Sequence, residues 1–495
     1  MDLKVKILKW KAGIPVAMIR EETAIKIGVR ANDRISIKTQ GEKEFTTILD
    51  TIGGNFIHKD QIAISSEITH ILNLRKAQKV EIKLAPRADS LDFIKKKLNN
   101  NALSKKEIKK IIEDVMNNSL SDPEIALFIS GMYKNGMSFK ETIYLIDSIL
   151  KSGGRLKLNK KMIVDKHSIG GIAGNRTTPL VVSICAATGL TCPKTSSRAI
   201  TTAAGTADVI EAIAQVEFSL KDLKKIIQKT NACMVWGGSL GMVPADDKII
   251  QIEKALKIDP EAQLLASIMS KKLAMGSNYI LIDIPYGKSA KVSKSQAEHL
   301  KKKFLALAKY FKKKLEVVIT DGSQPIGNGI GPVLELIDII KILEPNETGP
   351  QDLEKKALFL SARIFEMCGK AKKGKGIQLA KEILYSGKAF DKFKEIIKAQ
   401  KGSITHLIPG EFKKTILSPK AGIIREIDNK KINSLARVAG SPGDKRAGLY
   451  LHVHKNFKVS KGDKLITLYA ESNSRLYEAI KYFLKIKPIT ISQHN

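Results

Sequence analysis

The sequence predicts a multidomain α/β protein: a small N-terminal β-rich module, a helical lobe, and a large α/β lobe with a C-terminal α+β subdomain. Three observations carry that expectation. A chain of 495 residues is long enough for about three domains, and 43% hydrophobic with 27% charged residues is ordinary globular composition. The apolar pattern changes from a period of two to helical spacing near residue 87. From about 160 to 400, apolar runs then alternate with polar helices.

In chain order, residues 1–86 read as the β-rich module. Leu3, Val5 and Ile7 alternate with lysines, and Arg34 to Lys38 and Val80 to Leu84 repeat that period, with turn chemistry at Gly28 and Ala31-Asn32-Asp33. Pro86 to Ser90 resembles a linker. Residues 87–155 form the helical lobe, because Ser104 with Glu107 and Ser138 with Glu141 are capping-box pairs ahead of apolar positions at helical spacing. Lys151-Ser152-Gly153-Gly154 ends it. Residues 156–413 are the α/β lobe, with strands expected at Met162 to Val164, Ile280 to Ile284 and Val317 to Ile319. After Ser418-Pro419 short alternating pieces and the turn Gly440-Ser441-Pro442-Gly443 mark the subdomain, 414–495.

The net charge is +34, from 84 Lys and Arg against 50 Asp and Glu, which favours anionic partners. The lysines are spread along the chain, as on a solvated basic surface, so no dedicated nucleic-acid partner is expected. Cys185, Cys192, Cys233 and Cys368 form neither a disulfide framework nor a zinc pattern, and a reducing cytoplasm suits them. The N-terminus lacks the continuous apolar core of a signal peptide. The richest apolar stretch, Pro179 to Leu190, is too short for a membrane span. His452 and His454 share a strand face but have no partner at ligand spacing, so no metal is expected.

The densest chemical signal runs from Asp165 to Glu211. Asp165-Lys166-His167-Ser168-Ile169-Gly170-Gly171-Ile172-Ala173-Gly174-Asn175-Arg176-Thr177-Thr178 reads as one short loop before an apolar helix. Its glycines let backbone N–H groups approach an anion, and the helix start adds positive potential. By spacing alone it is either an anion site or a tight turn. A second hydroxyl-rich segment, Lys194 to Asp208, surrounds Arg198, and two such loops within fifty residues favour a shared phosphate site. Asp321-Gly322-Ser323 to Gly331 resembles a phosphate loop too, and reads either as one or as a tight, close-packed turn supporting the site. Trp236 and Tyr286 could stack on a base or simply pack.

KHSIGG followed by SSRAITTAAGTADVIE resembles the signature of the nucleoside phosphorylases that include the thymidine and pyrimidine-nucleoside enzymes. The N-terminal β module, with VWGGSLGMVPADDK, IDPEAQLLASIMSKKLAMG, IDIPYGKSAKV and TDGSQPIGNGIGP, is similar to the longer branch, the AMP phosphorylases. That resemblance covers nearly the whole chain. It implies that Lys166, Ser168, Thr178, Ser196 and Thr206 hold inorganic phosphate, and that His167, Ser267 and Lys271 hold the base. It further implies nucleotide contacts from Gly171, Ser197, Arg198, Ala199, Ile200, Thr201, Thr202, Thr206, Ser267 and Lys291, with Asp259 as proton donor. Ile252 replaces the arginine that grips pyrimidine in the short enzymes, which counts against the thymidine alternative. The resemblance also implies that a segment at about 240–275 completes the helical lobe, and that the protein is a homodimer or larger homo-oligomer.

The implied reaction is phosphorolysis of a nucleoside 5′-monophosphate, AMP first, to the base and ribose 1,5-bisphosphate. Phosphate is a co-substrate and no cofactor is expected. The chemistry needs phosphate below C1′, stabilisation of a cationic transition state and a proton for the leaving base. Asp259 precedes Pro260 at an expected helix start, so its residues alone also allow a helix cap. As an acid, it is expected to be buried so that its proton is retained.

Overall fold

A computed structural model describes residues 1–8, 15–199, 202–405 and 407–492. The chain divides into two compact units: Met1–Gly153 with Val243–Ser270, and Gly154–Met242 with Lys271–Asn495. A small β-barrel module, a helical lobe and a large α/β lobe with a β-rich C-terminal subdomain make up the architecture.

The first unit opens with six strands: β1 (Asp2–Ile7), β2 (Ala17–Arg20), β3 (Arg34–Thr39), β4 (Glu44–Ile52), β5 (Gln61–Ile64) and β6 (Lys79–Leu84). They close in the order β1-β5-β2-β4-β3-β6. Alternation explains the closure, since Leu3, Val5, Ile35, Ile37, Val80 and Ile82 fill the interior while Lys4 and Glu81 between them are more exposed. Strands β2, β4 and β5 are shorter or less regularly alternating and escape a reading based on period alone.

Helices Ser90–Leu98, Lys105–Met116, Asp122–Asn135 and Phe139–Lys151 follow. Both expected capping boxes form, Ser104 with Glu107 and Ser138 with Glu141. The helix Pro244–Leu256 packs into the same unit, where the Lys248 ammonium donates to the Val115 carbonyl at 2.8 Å. That bond adds a second donor to a carbonyl in the last turn of helix Lys105–Met116, which also accepts the Asn118 N–H at 3.4 Å.

In the second unit the central strands are β7 (Val164–Ser168), β8 (Cys192–Ser196), β9 (Ala232–Trp236), β10 (Tyr279–Tyr286) and β11 (Lys314–Asp321). Parallel pairing gives the order β11-β10-β7, with Ile280 opposite Asp165 and Ile282 opposite His167. Strands β8 and β9 pair in parallel, and a parallel bridge from Ile163 to Thr191 joins β8 to β7. The helix Thr177–Ala187 is apolar around its circumference and accordingly buried.

Two expectations change here. The stretch from Asp165 to Ser168 and the residues Lys194 to Ser196 are strand ends, not loops. Their charges interrupt the apolar run of a buried parallel strand because they find buried partners of opposite sign, which no sequence period reports.

The C-terminal subdomain is built from β12 (Gly329–Ile330), β13 (Phe412–Leu417), β14 (Gly422–Ile427), β15 (Gly448–Leu451), β16 (Lys458–Val459), β17 (Lys464–Ala470) and β18 (Ile489–Ser492), with helices Asn429–Val438 and Asn473–Ile486. Sheet order is β12-β15-β17-β13 beside β16-β14-β18. Because β12 follows the turn 321–328, the subdomain's sheet extends directly to the α/β lobe.

Candidate active site

Strands β7 and β8 end side by side, and the segments after them carry the phosphate candidates. Crevices beyond the carboxyl ends of parallel strands are the usual ligand sites of such sheets. Lys166 is buried on β7 and donates to the Thr177 hydroxyl at 2.6 Å, at the first turn of helix Thr177–Ala187. Burial pushes its ammonium down to about 7, Asp283 opposes that shift, and Lys356 and Arg176 add to it. A dianion brought here would restore the proton on Lys166.

Three glycines shape the turn after β7. Gly170, Gly171 and Gly174 have φ of +87°, +93° and +66°, where a β-carbon is disfavoured. A β-carbon on Gly171 would stand 3.1 Å from the Lys291 backbone nitrogen, so these two nucleotide candidates lie together. One on Gly174 would meet the Ile326 carbonyl at 2.3 Å. The turn 321–331 therefore packs directly against this segment, as expected of a support. Ser168 accepts a bond from the Asn175 amide at 3.3 Å, and Thr178 is buried one residue into the helix.

Arg176 links the two segments. Its guanidinium donates to the Thr206 hydroxyl at 3.0 Å and the Ala204 carbonyl at 2.6 Å, and it pairs with buried Glu335 at 2.6 Å. Burial pushes the Glu335 carboxyl up, against the pull of Arg176. Sequence reading placed Arg176 in the segment from Asp165 to Thr178 without a role; its signal was the single guanidinium among small residues. On the β8 side the Ser196 hydroxyl is buried without a hydrogen-bond partner among the described residues.

The remaining candidates differ in setting. Asp208 accepts backbone bonds from Ala199 at 2.7 Å and Gly205 at 2.8 Å, holding the segment that carries Ser197, Ala199 and Thr202. Ile200 and Thr201 lie outside the described residues. Arg198 is engaged by protein groups: it pairs with Glu211 at 2.5 Å and Glu217 at 3.0 Å, and stacks 4.7 Å over the Trp236 ring. Trp236 thus packs on Arg198. Burial, followed by the charges of Lys272, Lys194, Lys166 and Lys271, pushes His167 well below the usual imidazole range, so its ring is neutral near pH 7.

In the first unit, the Ser267 hydroxyl donates to Asp246 at 2.9 Å, and Gln263 donates to the other oxygen of that buried carboxylate at 2.7 Å. Asp246 orients Ser267 and was missed as a site residue although ADDK is part of the signature. Asp259 is exposed, against the expectation of burial, and Pro260 separates it from the helix Glu261–Ala274. Ile252 is half-buried on helix Pro244–Leu256.

A surface groove of about 710 Å³ lined by Glu217, Phe218, Asp222 and Lys225 holds none of the candidate residues. His452 and His454 bond to Thr467 and Asn328. Among the described residues no group of three or more His, Cys, Asp or Glu could hold a metal ion, and no helix is long and apolar enough to cross a membrane.

Residues 160–390 match the glycosyl transferase family a/b domain, residues 91–153 its helical bundle domain, and residues 423–490 the pyrimidine nucleoside phosphorylase C-terminal domain. The AMP phosphorylase of Pyrococcus horikoshii is 47% identical over 99% of this chain and 98% of its own. The chain belongs to the AMP phosphorylase family. The AMP phosphorylase of Thermococcus kodakarensis is 42% identical over 99% of this chain and 98% of its own; that of Methanocaldococcus jannaschii is 42% identical over 93% and 92%. Membership makes the chain a glycosyl-transferring enzyme of the pentosyltransferase type. Anthranilate phosphoribosyltransferase from Thermus thermophilus shares the fold, with a TM-score of 0.53 and 17% identity, over 63% of this chain and all of that one.

Proposed function

We propose that the enzyme cleaves AMP with inorganic phosphate to adenine and ribose 1,5-bisphosphate. The observation that carries this reading is the Arg176 bridge, which joins the Lys166 turn to the Thr206 segment in a chain similar along its length to AMP phosphorylases.

Phosphate is held by Lys166, Ser168, Thr178, Ser196 and Thr206, at the positive end of helix Thr177–Ala187. One of its oxygens attacks C1′ while the bond from C1′ to the base nitrogen breaks. The electron pair of that bond goes to the base, and Asp259, exposed rather than buried, takes up a proton and passes it to the base. The phosphate dianion stabilises the positive charge that develops on the ribosyl ring. His167 and Lys271 with Ser267 hold the base; Gly171, the segment from Ser197 to Thr202, and Lys291 hold the nucleotide.

A cytoplasmic, homo-oligomeric enzyme suits this chemistry and the free cysteines. The test is base release from a panel of nucleosides and nucleoside monophosphates, with and without phosphate. Phosphate-dependent adenine release from AMP supports the reading; release without phosphate, or from thymidine alone, overturns it.

A further inference from the structure

Two asparagines one turn apart on helix Asn429–Val438 each meet a different substrate segment. Asn429 is fully buried, and its side-chain oxygen accepts the Ala173 N–H at 3.1 Å. Its amide nitrogen donates to the Gly322 carbonyl at 3.0 Å and the Ser289 hydroxyl at 3.1 Å. Asn433 is also buried, and its side-chain oxygen accepts the Ala203 N–H at 2.8 Å. Ser441, just past the helix, donates to the Ala203 carbonyl at 3.1 Å, so both polar groups of that residue are held by the C-terminal subdomain.

Packing repeats the arrangement. Ala173 and Ala203 are fully buried in the subdomain's apolar core with Ile432, Leu435 and Ala436. Each substrate segment therefore contributes one alanine to that core and one backbone N–H to the helix. Positions four apart share a helix face, so a single rigid element fixes both segments. Each alanine N–H is met by one of these asparagines, and an unmet buried donor is costly.

We propose that Asn429 and Asn433 are positioning residues through which the C-terminal subdomain sets substrate affinity. Asn429 acts on phosphate through the turn Gly170–Gly174, and Asn433 acts on the nucleotide through the residues Thr202–Gly205. This rests on the assignment of those two segments to phosphate and nucleotide.

The experiment compares parent enzyme with Asn433→Ala, Asn433→Asp and Asn429→Ala in steady-state kinetics, together with amide hydrogen exchange of residues 202–205. Asn433→Ala is expected to raise the KM for AMP about five- to tenfold, the worth of one net hydrogen bond, with phosphate KM and kcat changed less than about threefold. Asn433→Asp keeps an acceptor for the Ala203 N–H and is expected to restore the AMP KM. Asn429→Ala is expected to raise the phosphate KM instead. Should Asn433→Ala fail to fold, Ser441→Ala removes only the bond to the Ala203 carbonyl and is expected to shift the AMP KM in the same direction.

Equal effects of both asparagine variants on both KM values, or an Asp variant no better than Ala, would overturn the proposal. Exchange separates this from the reaction itself. A parent protein without phosphate-dependent base release overturns the reaction, whereas unchanged exchange at 202–205 in Asn433→Ala overturns the clamp whatever the reaction.

Discussion

Lys272 stands 2.8 Å from Asp165, both side chains being buried, and Lys194 approaches the same carboxylate at 3.5 Å. Asp165 precedes Lys166 on β7, and alternation sends the two to opposite faces of the sheet. One face of the strand is thereby neutralised by an ion cluster, while the other presents Lys166 to the proposed phosphate site. Burial pushes Lys272 down, with the Asp165 charge opposing that shift, whereas Lys166 is pushed down to about 7 and sits near its titration point at neutral pH.

That poise makes phosphate binding depend on pH. The free-enzyme value of Lys166 is about 7, below the usual lysine range, and a bound dianion raises it. Binding at about one pH unit above that value therefore takes up protons, and phosphate affinity falls as pH rises through it. Calorimetric titration in buffers of different ionisation enthalpy measures the uptake. Lys166→Ala should abolish most of it and raise the phosphate KM about ten- to a hundredfold, the worth of a charge-assisted hydrogen bond. Unchanged phosphate kinetics would remove Lys166 from the site.

Nucleoside monophosphates should outcompete nucleosides. Ile252 cannot make the pyrimidine contact of an arginine, and Lys291, packed against Gly171, offers a cation to a 5′-phosphate. Turnover of AMP, adenosine and thymidine at fixed phosphate is expected to favour AMP by about ten- to a hundredfold. Faster turnover of thymidine would point to the pyrimidine-nucleoside reaction.

The acid assigned to Asp259 separates from a purely structural role in Asp259→Asn, which keeps size and hydrogen bonding but cannot donate an acidic proton. Phosphorolysis should slow by about 10² to 10⁴, with the melting temperature close to the parent's. A base that leaves readily without protonation should suffer much less. Equal slowing for easy and difficult leaving groups would place the proton donor elsewhere.

Breaking the buried Arg176–Glu335 pair should destabilise strongly, because the surviving charge is left without its partner. Glu335→Leu is expected to cost about 3 to 5 kcal/mol in denaturant unfolding. Arg176→Met combined with Glu335→Leu should recover much of that stability while still weakening substrate binding, since the bonds to Thr206 and Ala204 go with the guanidinium. A stable double variant with parental KM values would show that the bridge does not shape the site.

Local signals were read correctly where neighbours in sequence settle the outcome. Ser104 and Glu107, like Ser138 and Glu141, close capping boxes because their partners are three residues apart. Leu3, Val5, Ile35 and Ile37 turn inward because strand alternation leaves them one common face. The reading failed at Asp165 to Ser168, where a polar stretch suggested a loop. Those residues form a strand because Asp165 meets Lys194 and Lys272, which are 29 and 107 positions away by their numbering.

By itself, the sequence determined the architecture and the family signature, which are carried by residue type, period and short spacing; the individual phosphate candidates are what the resemblance implies. Only the tertiary structure decided which groups meet: Arg176 with Thr206 and Glu335, Asp246 with Ser267, and Asn429 and Asn433 with Ala173 and Ala203. The same holds for Arg198, which is paired with Glu211 and Glu217. A buried donor or charge must find its partner in space, and the partner's distance along the chain places no constraint on that meeting.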